Sequence, residues 1–213
     1  MPPAEPLVVY GAGGHGKVVA DAARSQGLEV LGFLDDDPSR VSRRVLGELA
    51  VLGDASWLAG RPSVRVALGI GDNEVRRGLT ERLRAGGARL AAVTHRSAVV
   101  APTAQVGAGV VVLACAVVNP DARVGEGAIL NTGAIVEHDV QIGAYAHVSP
   151  NAALGGGASL GAGAHLGIGA QVSPLCSIGA QTIVGAGAVV VRDLPERVVA
   201  YGVPARVRRS LGS

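Results

Sequence analysis

An unbroken six-residue repeat dominates the second half of this 213-residue sequence. Between residues 100 and 189 an aliphatic residue recurs at every sixth position, and a small or short branched residue follows it four positions later. Neither the 3.6-residue period of a helix nor the two-residue period of a strand predicts this spacing. A fixed period indicates a solenoid, in which each unit buries its apolar face only by stacking on a copy of itself. The aliphatic positions are Val100, Val106, Val112, Val118, Val124, Leu130, Val136, Ile142, Val148, Leu154, Leu160, Leu166, Val172, Ile178 and Val184.

Three units of six make a triangular coil of eighteen residues with the aliphatic side chains inside. Five coils then stack as parallel strands about 4.8 Å apart, which gives a prism about 24 Å tall. The composition suits a narrow interior, because only 2% of the residues are aromatic and 32 are glycine. We therefore predict an all-β parallel β-helix for residues 94–191. Residues eighteen apart should stack, which places His147 over His165 and His138 over Gly156.

Residues 1–93 alternate short apolar strands with helices, the pattern of a parallel α/β sheet. We predict strands at 7–10, 30–34, 64–68 and 89–93, and helices at 17–25 and 74–85. The segment 11–16 matches G-x-G-x-x-G between a strand and a helix, where glycines let the backbone approach a phosphate. Asp35 and Asp36 end the second strand and could bind a ribose or base. This is half of a full dinucleotide fold, a half-Rossmann domain, and it favours a nucleotide-sugar over NAD.

The triplet Glu137-His138-Asp139 is the most polar part of an otherwise bland repeat. A histidine near its ordinary pKa accepts protons at neutral pH, and an adjacent carboxylate can fix its tautomer and stabilise its charged form. General base catalysis is one interpretation of the triplet. An ordinary solvated surface loop is the other.

Charge and composition exclude several classes of protein. The net charge is only +2, without the clustered Lys/Arg and interleaved aromatics of a nucleic-acid surface. No run of eighteen apolar residues suggests membrane insertion, and no signal peptide is apparent, so we expect a cytoplasmic protein. The two cysteines match neither a disulfide nor a zinc pattern, and we expect no metal. Residues 192–213 are expected to form a C-terminal cap or tail.

From about residue 7 to 209 the chain resembles the sialic acid O-acetyltransferase / UDP-4-amino-sugar N-acetyltransferase family. These are hexapeptide-repeat acyltransferases such as the bacillosamine and perosamine N-acetyltransferases. The order and spacing of several short motifs carry the resemblance. They lie at residues 10–17, 33–36, 71–76, 130–133, 136–139, 142–143 with 147–149, and 202–206.

The resemblance implies a left-handed β-helix that trimerises, with acetyl-CoA in the groove between two subunits. It implies that His138 is the general base and that Asp139 raises its basicity. Asn131 would lie beside the acceptor sugar. The nucleotide-linked sugar would be held by Gly13, Gly14, His15, Asp35, Asp36 and Gly71, and acetyl-CoA would be contacted by His147, Gly156, Ile168 and Ala186.

The sequence thus predicts acetyl-CoA-dependent N-acetylation of the 4-amino group of a nucleotide-linked amino-deoxy sugar, in polysaccharide biosynthesis, by direct attack on the thioester. His138 and His147 are half a coil apart and point in different directions on one prism, so we expect a homotrimer with active sites between subunits. Three alternatives stay open: an O-acetyltransferase of a sialic-acid-like sugar, a noncatalytic β-helix scaffold and an NAD-dependent oxidoreductase. The sequence does not distinguish UDP, GDP and dTDP, nor the sugar.

Overall fold

The structure of the protein is a computed structural model that describes residues 5–212. Its N-terminal domain holds a five-stranded sheet of order β3-β2-β1-β4-β5, in which every pairing is parallel. Two short 3-10 turns interrupt the loops. The elements are β1 (Leu7–Tyr10), α1 (Gly14–Ser25), β2 (Val30–Leu34), β3 (Val51–Gly53), β4 (Arg65–Leu68), α2 (Asn73–Ala85) and β5 (Arg89–Leu90).

The sheet is buried on both faces, as the apolar strands predict. Leu7 and Val9 of β1 pack with α1, whereas Val8 and Tyr10 pack with α2. The strand order reverses at β1, so the loops after β1 and β4 open a crevice at the carboxyl ends of these strands. Open parallel sheets bind their ligands in such a crevice.

The observed boundaries correct four of the predicted elements, and the strand predicted at 64–68 begins at Arg65. Helix α1 begins at Gly14 rather than residue 17, because Gly13 is its N-cap and the glycines already belong to the first turn. Helix α2 begins one residue earlier than predicted, since Asp72 caps it by accepting from the Val75 N–H. The predicted strand at 89–93 is two strands, β5 and β6 (Val93–Thr94), and β6 pairs with the β-helix rather than with the first sheet.

The repeat folds into a parallel β-helix of two-residue strands, as predicted. Each strand pairs with the strand three further along the chain, and His147 pairs with His165. The coil is therefore eighteen residues long. The remaining repeat strands are β7 (Val99–Val100), β8 (Gln105–Val106), β9 (Val111–Val112), β10 (Val117–Val118), β11 (Arg123–Val124), β12 (Ile129–Leu130), β13 (Ile135–Val136), β14 (Gln141–Ile142), β15 (His147–Val148), β16 (Ala153–Leu154), β17 (Ser159–Leu160), β18 (His165–Leu166), β19 (Gln171–Val172), β20 (Ser177–Ile178), β21 (Ile183–Val184) and β22 (Val189–Val190).

The strands form three sheets, which are the faces of the prism. Face A begins with β6, β9 and β12, face B with β7, β10 and β13, and face C with β8, β11 and β14. The tight turns between them form three edges, named here AB, BC and CA. The aliphatic repeat positions and small residues fill one continuous core inside.

The C-terminal residues cap the prism. Strand β23 (Val198–Tyr201) extends face A by pairing with β21, and β24 (Arg206–Ser210) pairs with it in the antiparallel sense. The arginines at positions 206, 208 and 209 thus lie on an exposed strand. No helix within the described residues is long and apolar enough to cross a membrane.

The N-terminal domain rests on face A and the CA edge. Ala91 and Val93 share a core with Val111 and Leu113 of the first coils. A side chain at Gly109, on the CA edge, would meet Leu68 and Leu90 of the N-terminal sheet. The BC edge is therefore on the side of the prism that faces away from this domain.

Candidate active site

His138 and Asp139 occupy a turn on the BC edge, between β13 and β14. Asp139 takes the second turn position with a left-handed φ of 61°, and its Oδ2 lies 2.8 Å from Nδ1 of His138. Since a carboxylate only accepts, Nδ1 carries the proton and Nε2 keeps a free lone pair. The hydrogen bond that His138 donates to Asp139 raises the pKa of His138, and the charges of Asp139 and Glu137 raise it further. Both side chains are about two-thirds exposed, so the pair is open to a substrate.

Gly156 lies directly under this imidazole, as the eighteen-residue coil predicts. A Cβ on Gly156 would be 2.5 Å from Nε2 of His138, closer than two such atoms can approach. The N–H groups of Gly155 and Gly157 are bonded to Val172 and His138 carbonyls, but within residues 5–212 that of Gly156 donates to no backbone carbonyl. The edge therefore offers a proton acceptor on one coil and, on the next coil, a glycine whose N–H donates to no backbone carbonyl of the described residues.

The glycine loop and Asp35 form a unit at the end of β1. Helix α1 has no side-chain cap and no acidic residue in its first turn, so its N–H groups and positive helix end can bind an anion. Asp35 accepts from the Ala12 N–H at 2.8 Å and from Arg40 at 3.0 Å. This carboxylate fixes the loop in place.

Asp36 lies on a small cavity of about 160 Å³ at the crevice, with apolar walls from Ile70 and Leu79. It accepts from the Tyr10 hydroxyl and from Arg82, both at 2.5 Å. Burial raises the pKa of Asp36, but these two hydrogen bonds bring the pKa below its usual value. Burial, and after it the hydrogen bond to Asp36, raises the pKa of Tyr10. Sequence reasoning missed Tyr10 and Arg82 because their partner lies 26 and 46 residues away.

A second, basic cavity of about 240 Å³ adjoins the glycine loop. Gly13 and Gly14 form one wall, and the cationic side chains around it are those of Lys17, Arg40, Arg43 and Arg44. Such a set suits a phosphate or diphosphate. Sequence reasoning missed this site as well, although three arginines within five residues after the second strand were a visible signal.

Three histidines stack at the seam between the domains. The ring centroid of His147 lies 4.8 Å from that of His165 and 6.3 Å from that of His15. Asn131 Nδ2 is 3.1 Å from Nε2 of His147, and Ser149 Oγ is 2.9 Å from Nε2 of His165.

The stacked histidines are neutral at physiological pH. Burial, helped by the positive charge of Arg76, lowers the pKa of His15 to about 4. Burial, then His165 and Arg76, lowers the pKa of His147 to about 3. Burial also lowers the pKa of His165. A groove of about 770 Å³ opens beside the stack on face A, with Gly71 and Asn73 on one side and His147 and Ile183 on the other.

Apart from Gly13, Gly14, Asp35 and Asp36 at the crevice of the N-terminal sheet, the predicted site residues fall into two separate groups. The structure brings His15, Gly71, Asn131 and His147 together at the domain seam, and Ile168 and Ala186 lie exposed on the adjoining AB edge. The other group, on the BC edge, consists of His138, Asp139 and Gly156. The apolar core of the prism separates the groups within one chain. Within residues 5–212, no cluster of three or more His, Cys, Asp or Glu side chains could hold a metal ion.

Known proteins match both parts of the chain. The family described as the PglD N-terminal domain matches residues 6–83. UDP-N-acetylbacillosamine N-acetyltransferase of Bacillus subtilis is 38% identical over 119 residues, a segment that spans about half (51%) of either chain.

Two solved structures match almost the whole chain. A histidine mutant of perosamine N-acetyltransferase from Caulobacter crescentus, in complex with CoA and GDP-perosamine, is 45% identical with a TM-score of 0.91, covering 96% of this chain and 97% of the other. The acetyltransferase domain of PglB from Neisseria gonorrhoeae, in complex with acetyl coenzyme A, is 36% identical with a TM-score of 0.90, covering 96% and 100%. The chain therefore belongs to the PglD-like family of N-acetyltransferases.

Proposed function

We propose that the protein transfers the acetyl group of acetyl-CoA to the 4-amino group of a nucleotide-linked amino-deoxy sugar, with His138 as general base. The observation that carries this proposal is the turn on the BC edge, where Asp139 orients His138 directly above Gly156. The relatives support the substrate classes, because the Caulobacter enzyme binds CoA and GDP-perosamine and the gonococcal domain binds acetyl-CoA. Membership of this family favours the proposal over a noncatalytic scaffold or an NAD-dependent oxidoreductase.

The chemistry follows from these groups. The neutral amine attacks the thioester carbonyl, and Nε2 of His138 accepts the proton that the nitrogen loses. Asp139 stabilises the imidazolium that results. The N–H of Gly156 donates to the oxyanion of the tetrahedral intermediate. The intermediate then collapses, the C–S bond breaks, and the imidazolium returns a proton to the departing thiolate of CoA.

The N-terminal domain would bind the nucleotide-sugar. The basic cavity beside the glycine loop suits the diphosphate, since Lys17, Arg43 and Arg44 line it. Asp35 and Asp36 line the neighbouring cavity at the crevice, and His15 lies at the domain seam beside His147. Asn131 and His147 would meet the sugar and the acetyl group there.

The active site would be shared between subunits of a homotrimer. The N-terminal domain rests on face A, and His138 of the same chain is on the opposite edge. A nucleotide-sugar held by one chain therefore needs the BC edge of a neighbour. Acetyl-CoA would lie in the groove between that edge of the neighbour, with Gly156, and the AB edge of the first chain, with Ile168 and Ala186. Because acetyl-CoA and nucleotide-sugars are cytoplasmic metabolites, we place the enzyme in the cytoplasm.

Replacing His138 tests the catalytic proposal. We expect His138→Ala to lower kcat at least about a hundredfold, while calorimetry shows CoA binding near that of the wild type. The wild-type kcat/KM should rise with pH through a pKa above the usual imidazole value of about 6.5, because the base works only when deprotonated and Asp139 raises its pKa.

His95→Ala is the matched control, since the imidazole of His95 bonds only to Ser97 within the described residues. Turnover close to normal in His138→Ala would rule out the assignment. Assays with UDP-, GDP- and dTDP-linked 4-amino sugars would identify the nucleotide, and activity with a free sugar alone would favour O-acetylation of a sialic-acid-like acceptor.

A further inference from the structure

Arg76 is completely buried at the junction of the two domains, and within residues 5–212 no carboxylate forms an ion pair with it. Its guanidinium donates instead to uncharged oxygens. Nε donates to the Gly127 carbonyl at 2.7 Å, and Nη2 donates to the Tyr145 carbonyl at 2.8 Å. Nη1 donates to the carbonyls of Ile70 and Gly71 at 3.1 and 3.0 Å.

These acceptors belong to two different parts of the molecule. Ile70 and Gly71 lie in the loop between β4 and α2. Gly127 and Tyr145 lie on the CA edge of the prism, eighteen residues and therefore one coil apart. A buried charge is costly unless its donors are satisfied, and a planar guanidinium satisfies them only in one geometry. Arg76 thus binds the loop to two successive coils and fixes its height, that is, its position along the axis of the prism.

Asn73 extends this link to a third coil. Its Oδ1 accepts from Nη2 of Arg76 at 2.8 Å. Its Nδ2 donates to the carbonyls of Gly163 and Ala164 at 2.9 and 3.2 Å. We call the side chains of Arg76 and Asn73, with the CA-edge carbonyls that they bind, the interdomain clasp.

The clasp holds the part of the N-terminal domain that faces the sugar. A Cβ on Gly71 would lie 4.0 Å from His15, and His15 stacks toward His147 on face A. The height at which the loop is fixed therefore determines where the nucleotide domain presents its ligand along the prism.

We propose that Arg76 and Asn73 are positioning residues, which set the nucleotide-linked sugar at the height of the neighbouring subunit's general base. This inference rests on the proposed function. Each ligand would be bound by groups outside the clasp. Loss of the clasp should therefore reduce turnover more than affinity, because a misplacement of about 1 Å can cost about a hundredfold in rate.

The test compares Arg76→Lys with Arg77→Lys. Arg77 is the next residue of the same helix, but it is exposed and pairs with Glu74 and Glu81. For Arg76→Lys we expect kcat to fall at least about tenfold. The dissociation constants of CoA and of GDP or UDP should stay within about twofold of the wild type, and Arg77→Lys should behave as the wild type. A lysine cannot reach the same carbonyls, since its ammonium is a point charge on a single stem.

Asn73→Ala is a milder second variant. It removes the bonds to the third coil and the bond from Nη2 of Arg76, but it leaves the bonds of Arg76 to the other two coils in place. We expect a smaller fall in kcat with both affinities retained. Wild-type kcat in both variants would overturn the inference. It would also be overturned if the variants bound less ligand only because less of the protein was folded, since Arg76 would then have a structural role alone. Hydrogen exchange distinguishes failure of this inference from failure of the proposed function. Even if no amino-sugar is acetylated, Arg76→Lys should speed exchange at residues 70–73 and leave β1 unchanged.

Discussion

Gly156 has no side chain at a turn position where other turns of the β-helix carry one. The same first turn position is alanine at residues 108, 114, 144, 162, 180 and 186. The turn backbone itself therefore tolerates a Cβ. At Gly156 that Cβ would strike the His138 ring, with Nε2 at 2.5 Å and Cε1 at 2.6 Å. The glycine is required by the histidine rather than by the turn.

This predicts that Gly156→Ala will separate catalysis from stability. The exposed imidazole can swing away from the new methyl group, but the swing breaks its bond to Asp139. We expect the melting temperature to stay within about 2 °C of the wild type, as for surface changes, and kcat to fall at least about tenfold. Thermal denaturation and steady-state kinetics measure both.

The control is Ala180→Gly, the opposite change at an equivalent turn. It should keep full activity and cost up to about 1 kcal/mol of stability through the added backbone freedom. An unchanged kcat in Gly156→Ala would mean that the position of His138 over Gly156 has no part in catalysis.

At the scale of elements, the sequence predicted well wherever a period or a local cap determines the structure. The hexad spacing alone placed His147 on His165 and His138 on Gly156, because a strict repeat converts sequence separation into stacking. Single boundaries were less predictable, since the end of the first sheet at Leu90 and the start of the prism at Val93 depend on which sheet offers partners.

Contacts between distant elements could not be predicted. Arg76 resembles any helical arginine in the sequence, yet its partners Gly127 and Tyr145 lie 51 and 69 residues away. Arg82 likewise meets Asp36 across 46 residues. No local pattern encodes how the two domains dock, so both the clasp and the Asp36 cavity emerged only from the structure.

Gly16 shows how one residue determines the packing of a whole element. It is buried in the first turn of α1, and a Cβ there would overlap the Gly11 carbonyl oxygen. We expect Gly16→Ala to destabilise the N-terminal domain by about 1–3 kcal/mol, the usual cost of overpacking, and to weaken nucleoside diphosphate binding while the prism stays folded. Urea denaturation and calorimetric titration with GDP or UDP test this.

The matched control is Gly78→Ala, in the middle of α2, where a Cβ would meet no atom of residues 5–212 within 4 Å. It should gain up to about 1 kcal/mol, because alanine is the better helix former. Equal stability of the two variants would contradict the proposed role of Gly16 in packing the glycine loop.

At the scale of the whole molecule, the position of the N-terminal domain determines what one chain can do alone. The domain covers face A and is fixed to the CA edge through Arg76 and Asn73. His138 is on the BC edge, with the aliphatic core between them. A side of the triangular coil is six residues, at most about 20 Å of extended chain. His138 and the nucleotide domain of one chain thus face opposite directions. The proposed cyclic assembly would resolve this by giving each BC edge a neighbouring face A.

Mixing two inactive variants tests this arrangement. His138→Ala removes the base from the BC edge, and the double variant Asp35→Ala, Asp36→Ala damages the nucleotide domain without changing that edge. In a trimer assembled at random from equal amounts of both, a shared site is intact when an undamaged base meets an undamaged nucleotide domain. This occurs in about a quarter of the sites if each site takes one part from each of two neighbours. Co-expression should therefore restore about a quarter of the wild-type rate per site, whereas the separately purified variants, mixed without exchange of subunits, should stay inactive.

Sedimentation that shows a trimer for both variants makes the comparison valid. If the co-expressed mixture recovers no activity, each site must lie within one chain. The opposed positions of face A and the BC edge predict the opposite result.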